Sequence, residues 1–158
     1  DGATGYWLPI DADDPSLEDD TNWISDDRLT RIISKIPAKH ILVVADSCYS
    51  GSIMRGSSFI SRNTKNNISH YRNLLNKKTR RAFTSGANQP VLDGGGQGHS
   101  IFARSFLDIL SANENILETS NIHSQIKTII SNKFDQIPQY DLIPKSGDEG
   151  GDFIFVPN

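Results

Sequence analysis

The sequence predicts an α/β domain in which a mostly parallel central sheet is flanked by helices. Residues 41–44 are a run of four aliphatic side chains rich in β-branching, which is typical of a strand buried on both faces. Before this run, Leu29, Ile32, Ile33 and Ile36 recur at helical spacing and would pack on the sheet. A helix, a short loop and a buried strand make half of a βαβ unit, and 158 residues suffice for one such domain.

The bulk properties argue against several classes of protein. The net charge of -3 gives no general electrostatic basis for binding nucleic acid or an anionic membrane, and no apolar run approaches the ~20 residues of a membrane span. The single cysteine, Cys48, cannot form an internal disulfide and indicates a reducing, cytoplasmic location. Because the chain opens without Met or a signal-peptide pattern, we expect it to be a piece of a longer protein.

The first half of the chain leads up to the buried strand. Residues 6–10 indicate an edge strand, since Pro9 is unsuited to a central one. Residues 11–22 form an acidic loop, which we interpret as solvated surface because its spacing is not that of an EF-hand; a cation site is the alternative. Ser25 or Asp26 would cap the helix that follows.

The second half is less regular. Residues 52–80 are polar and basic, which predicts a long loop, and residues 82–86 predict the next strand. The glycine-rich residues 91–98 lack the Lys-Ser/Thr of a P-loop, which argues against nucleotide binding. The remaining predicted elements are a helix from about Ser100, a helix over residues 122–134, a loop bracketed by Pro138 and Pro144, and a strand over residues 152–156.

Cys48 lies just beyond the carboxyl end of the buried strand, where ligands bind in open α/β sheets. A lone cysteine is more often inert than nucleophilic, but Ser50 and Gly51 leave room around this one. Asp46 would face the same cleft, because residues i and i+2 of a strand share a side. A neighbouring carboxylate disfavours the thiolate, so Asp46 needs another role. We interpret it as the binding site of a cationic substrate side chain; a hydrogen bond to a nearby loop is the alternative.

Several motifs point to one family. The hexapeptide Asp-Ser-Cys-Tyr-Ser-Gly at residues 46–51 resembles the nucleophile segment of the caspase-like cysteine peptidases, and is closest to their metacaspase and bacterial branch (peptidase C14). Residues 5–12, residues 84–93 with 98–103, and residues 151–156 match further segments of this branch in the same order. The resemblance therefore spans nearly the whole chain.

This resemblance implies a partial caspase-like domain with a three-layer fold. Residues 1–54 would end the large-subunit-like part, residues 55–81 would be the basic loop between subunits, and residues 82–158 would be the small-subunit-like part. The catalytic histidine of a His-Gly step would lie upstream of Asp1. The remaining N-terminal part of the domain, with the first strands of the sheet, would then be a partner of this chain.

The implied activity is that of a cysteine endopeptidase, made as a zymogen, which cuts protein or peptide substrates after Arg or Lys. Cys48 would be the nucleophile and Asp46 would hold the basic side chain, with Ser47, Ser85 and Gly86 also binding substrate. The basic run of residues 77–81 fits that specificity as a site of autoprocessing, although a solvated basic surface is an equal interpretation.

Calcium binding is in doubt, and we predict no cofactor. Asp26 and Asp27 match a pair of calcium ligands found in many metacaspases, but the third ligand position is Arg55, a cation. Our hypothesis is that Arg55 replaces the ion by pairing with Asp26 or Asp27.

Two other functions are open. The chain could be a non-catalytic caspase-like binding or scaffold module whose base is absent. It could also be a different Cys–His hydrolase that uses His99, which lies beside a glycine where a helix is predicted to begin. The family motif also has a histidine here that is not the catalytic one, so we interpret His99 as structural.

Overall fold

The computed structural model describes residues 5–13, 21–47, 68–86, 98–131 and 137–157. The strands are β1 Tyr6–Trp7, β2 Ile24–Ser25, β3 His40–Ala45, β4 Thr79–Thr84, β5 Leu117–Glu118, β6 Gln139–Leu142 and β7 Ile154–Phe155. The helices are α1 Asp26–Lys35, α2 Ile68–Asn76, α3 Ile101–Ser111 and α4 Thr119–Ser131. Within these ranges, no helix is both long and apolar enough to cross a membrane.

A three-stranded mixed sheet lies at the centre, in the order β3-β4-β6. Strands β3 and β4 are parallel, with Ala45 opposite Thr84 at their carboxyl ends, and β6 runs antiparallel to β4. The other described strands form two smaller antiparallel pairs, β1-β2 and β5-β7. The chain direction therefore brings the carboxyl ends of β3 and β4 to one edge.

Consecutive residues of β4 point to opposite faces of the sheet and separate two hydrophobic clusters. Phe83 belongs to a cluster with side chains of α3, α4 and β6, whereas Ala82 belongs to a cluster with Ile33 of α1. Helices thus cover the sheet on both faces, in three layers. The predicted α/β class, with helices flanking a central sheet, is confirmed; the sheet was predicted to be mostly parallel, and its described strands form a mixed sheet with one parallel and one antiparallel pairing.

Helix α1 shows how local sequence sets an element. Ser25 is its N-cap, and the Ser25 hydroxyl accepts a hydrogen bond from the Arg28 amide, as predicted. Ile33 is buried at 3% exposure and Leu29 packs beside it. Ile32 and Ile36 are 48% and 39% exposed, so only part of the predicted apolar stripe meets the sheet.

Strand β3 is less enclosed than its sequence predicts. Ile41 and Val43 pack on the α1 side and Leu42 on the α3 side, so both faces are used. Val44, however, is 42% exposed. In the described part of the sheet β3 is an edge strand, which explains why its burial is incomplete.

Two sequence-based predictions require correction. The residues between Pro138 and Pro144 are not a loop: they contain β6, whose sequence Gln-Tyr-Asp-Leu has no aliphatic run and is held by pairing with β4. The basic loop predicted over residues 55–81 includes all of α2 and the start of β4. Both errors have one cause, because the apolar pattern of these segments is weak and tertiary pairing decides their structure.

The start of β4 carries two buried arginines. Arg80 and Arg81 are each 3% exposed. The Arg80 guanidinium donates to the carbonyls of Ile36 and Ala38, at 3.2 and 2.6 Å. It thereby provides hydrogen-bond donors for two carbonyls of the turn between α1 and β3. Arg81 Nε lies 3.5 Å from a carboxylate oxygen of Asp148. These contacts fasten β4 both to the α1–β3 turn and to the segment after β6.

A buried tyrosine–aspartate pair extends this network. The Tyr140 hydroxyl donates to Asp152, which is 1% exposed and also accepts hydrogen bonds from the amides of Ser120 and Phe153. Burial, together with the neighbouring Asp152, raises the pKa of Tyr140 well above its usual value of 10.0. Tyr140 therefore stays neutral and able to donate, and its hydrogen bond to Asp152 joins β6 to the residues just before β7.

We expect Tyr140→Phe to lower the free energy of unfolding by about 1–3 kcal/mol, because it leaves one oxygen of a buried carboxylate without its hydroxyl donor. Urea unfolding at neutral pH measures this. Tyr6→Phe is the matched control: Tyr6 is 36% exposed, and its loss of a hydroxyl should cost less than ~0.5 kcal/mol. Equal unfolding midpoints for the two variants would contradict the structural role of the pair.

Candidate active site

The carboxyl ends of β3 and β4 form the edge where the sequence predicts chemistry. Asp46 and Ser47 follow β3 directly, and Ser85 and Gly86 follow β4. Because the two strands are parallel neighbours, these four residues are brought together. Cys48, the predicted nucleophile, and Arg55 lie outside the described residues.

Ser85 connects the two strand ends. It is fully buried, at 0% exposure. Its amide donates to the Ala45 carbonyl at 3.1 Å, which extends the β3–β4 pairing by one bond. Its hydroxyl donates to the Ser47 carbonyl at 3.2 Å. Gly86, which comes next, is also buried.

Asp46 is exposed. Within the part of the chain that the structure describes, no hydrogen bond or ion pair engages its carboxylate. The alternative interpretation of Asp46, a carboxylate bonded to a neighbouring loop, therefore finds no support there. An exposed carboxylate at this edge is suited to meet a cation that arrives from solvent.

Three of the four histidines have a ring nitrogen within hydrogen-bond distance of another group of the fold. His40 begins β3, at the opposite end of the strand, with Nδ1 3.0 Å from Thr79 Oγ1. His70 Nε2 lies 3.0 Å from Glu118 Oε1, and His123 Nε2 lies 3.0 Å from the Pro138 carbonyl oxygen. Burial lowers the pKa of His40 and of His123 below 6.5, and raises the pKa of Glu118 above 4.5.

His99 differs from these three. It is exposed and precedes Ser100, which is the N-cap of α3 and accepts a hydrogen bond from the Ala103 amide. The N-cap of α3 is therefore Ser100 and not His99, and the interpretation of His99 as structural stays a prediction.

The two calcium candidates occupy different environments. Asp26 is 9% exposed, and its Oδ1 accepts a hydrogen bond from Trp7 Nε1 at 2.8 Å. The Asp26 amide donates to the Gly5 carbonyl at 3.0 Å. Asp27 is exposed. Among the described residues, no group of three or more His, Cys, Asp or Glu side chains is placed to hold a metal ion.

The basic run at residues 77–81 is mostly part of the fold. Arg80 and Arg81 lie inside β4 and are buried. Lys77 and Lys78 are exposed between α2 and β4. The buried arginines would have to leave the sheet before a peptidase could bind them, so the two lysines are the accessible residues of this run.

The family model for the caspase domain of the C14 peptidases matches residues 1–144, most of the chain. No curated protein and no solved structure showed significant similarity to the chain.

We expect Asp26→Ala to lower the free energy of unfolding by about 1–3 kcal/mol with or without calcium, because it removes a partly buried hydrogen bond to Trp7. Asp27→Ala, at an exposed position, should cost less than ~1 kcal/mol. Urea unfolding with calcium and with a chelator measures both. Equal losses that occur only in calcium would instead indicate that the two acids share an ion.

Proposed function

Because the chain belongs to the caspase-domain family of cysteine peptidases, we propose that it provides the nucleophile of an endopeptidase that cuts after Arg or Lys. The observation that carries the specificity is the exposed, unpartnered carboxylate of Asp46 within the described edge, two residues before Cys48. A histidine upstream of Asp1 would complete the dyad.

In the proposed reaction, the Cys48 thiolate adds to the carbonyl carbon of the residue before the cut. The carbonyl oxygen becomes an oxyanion, held by the Cys48 amide. As the C–N bond breaks, the histidine gives its proton to the leaving amine. Water then hydrolyses the thioester and releases the acid, which returns the cysteine to its starting state.

Asp46 would select the substrate by charge. Two opposite charges 4 Å apart attract by ~1 kcal/mol in bulk water and by about 4 kcal/mol at the lower effective dielectric of a protein surface. A bound peptide excludes water, so the interaction strengthens on binding. A substrate Asp at the same place would be repelled by the same carboxylate. Asp46 would thus both attract Arg or Lys and reject Asp.

The remaining N-terminal part of the domain is the proposed partner of β3. In the described sheet β3 has β4 on one side only, and Val44 is 42% exposed. An uncovered aliphatic edge strand is prone to pair with another strand. These features support a sheet that continues beyond β3 with strands from upstream.

A non-catalytic binding module is the second candidate. The observation in its favour is that His40, His70 and His123 each have a ring nitrogen engaged by another group of the fold. The dyad of the first proposal would therefore draw on a histidine other than these three. The third candidate, a Cys–His hydrolase with another mechanism, would instead use His99, which is exposed.

We expect the longest natural chain that contains these residues to cleave fluorogenic peptides ending in Arg or Lys, and not those ending in Asp. Turnover should be lost in Cys48→Ala. Asp46→Asn should lower kcat/KM for the Arg peptide by roughly fivefold to several hundredfold, the equivalent of about 1–4 kcal/mol. Cleavage after Asp would contradict the role of Asp46.

His99→Ala is the control that separates the two hydrolase mechanisms. It should keep turnover within about twofold of the unchanged protein, since surface substitutions seldom disturb a site they do not touch. Loss of turnover in His99→Ala, with upstream residues dispensable, would establish the mechanism that uses His99. No turnover at all would favour the binding module.

We further propose that autoprocessing follows Lys77 or Lys78. Intact mass spectrometry after incubation should show fragments from a cut after one of these residues, and none after Arg80 or Arg81, which are 3% exposed. Replacing both lysines by Gln should prevent the cut, as should Cys48→Ala. Fragments that end at Arg81 would show that β4 opens before processing.

A further inference from the structure

Ser85 has a contact that the sequence did not predict for it. We infer that Ser85 is a positioning residue, which sets the orientation of the peptide unit between Ser47 and Cys48. The inference rests on the proposed function, in which Cys48 is the nucleophile. It differs from the predicted role of Ser85 as a substrate contact, because it needs no access to substrate.

The geometry places Ser85 where it can act on this peptide unit. Its two donors reach the end of β3 and the segment that follows it: the amide donates to the Ala45 carbonyl, 3.1 Å away, and the hydroxyl donates to the Ser47 carbonyl, 3.2 Å away. The side chain is completely buried. No water therefore competes for the hydrogen bond of the Ser85 hydroxyl, and this bond fixes the orientation of the hydroxyl.

The physical consequence follows from the planar peptide. The carbonyl of one residue and the N–H of the next share one plane, so that a fixed carbonyl also fixes the plane of the N–H. A hydrogen bond to the carbonyl also polarises the amide and strengthens its N–H as a donor. The Ser85 hydroxyl, bound to the Ser47 carbonyl, therefore constrains and strengthens the amide of Cys48.

In the proposed reaction that amide stabilises the oxyanion. A donor aimed at the oxyanion contributes mainly to the transition state and little to substrate binding. Loss of the Ser85 hydroxyl should therefore lower kcat and leave KM nearly unchanged. It should also leave the reaction of the thiol with iodoacetamide nearly unchanged, since alkylation forms no oxyanion.

The matched control is the preceding residue. Thr84 is 1% exposed, and its hydroxyl has no hydrogen-bond partner in the structure as described. Thr84→Val removes a buried hydroxyl from the same strand end and keeps the shape of the side chain, but it leaves the Ser47 carbonyl untouched. A loss of activity in Ser85→Ala alone would thus be specific to the Ser85–Ser47 bond.

The test compares both variants in the longest natural chain, with an Arg peptide for turnover and iodoacetamide for thiol reactivity. Because Cys48 is the only cysteine of the 158 residues, its alkylation can be followed by mass spectrometry of the peptide that contains it. For Ser85→Ala we expect kcat to fall about ten- to a hundredfold, KM to change less than about twofold, and alkylation to keep its rate. Thr84→Val should match the unchanged protein in all three.

Two outcomes would overturn the inference. One is turnover of Ser85→Ala within about twofold of the unchanged protein. The other is a parallel fall in turnover and alkylation with a lower unfolding midpoint, which would show a general loss of structure. If the unchanged protein shows no turnover that depends on Cys48, the proposed function itself fails, and the inference fails with it; that result is distinct from normal turnover in Ser85→Ala.

Discussion

The burial of β4 is the constraint on which the rest of the structure depends. All eight residues from Thr79 to Gly86 are buried, although two of them are arginines. A buried guanidinium is tolerated only where acceptors surround it. Carbonyls of the α1–β3 turn accept from both terminal nitrogens of Arg80, although its Nε has no hydrogen-bond partner among the described residues, and the segment that contains Asp148 and Gly151 binds Arg81. The two arginines of β4 therefore fix the positions of the α1–β3 turn and of the segment that contains Asp148 and Gly151.

The same strand carries the candidate site at its other end. Its start is fixed by the arginine contacts, and its end is bonded to the segment after β3 through Ser85. Between these ends Phe83 packs against α3 and α4, while Ala82 packs against α1. The position of Asp46 and Ser47, which lead to Cys48, thus depends on the packing of the whole sheet. Loss of the arginine contacts at the start of β4 would shift the strand and, with it, the candidate site at its end.

The sequence predicted those features that depend on neighbours in the chain. The cap of α1 at Ser25, the position of β3 and the start of α3 follow from local patterns of hydrophobicity and capping. Strand β6 was missed, because Tyr140 and Asp141 are buried by partners far away in sequence. For the same reason, neither the bond from Trp7 to Asp26 nor that from Ser85 to Ser47 could be predicted: each joins residues on different elements.

Asp46 and Ser85, which follow the neighbouring strands β3 and β4, have opposite physical environments. Asp46 is exposed and has no partner in the described part of the chain, so its carboxylate contributes little to folding and remains available for a ligand. Ser85 is buried, and both of its donors are bound within the fold. Under the proposed function, a change at Asp46 would alter which substrate is attracted without disturbing the sheet. A change at Ser85 would act on the Ser47 carbonyl, next to Cys48 in the chain, whichever substrate is bound.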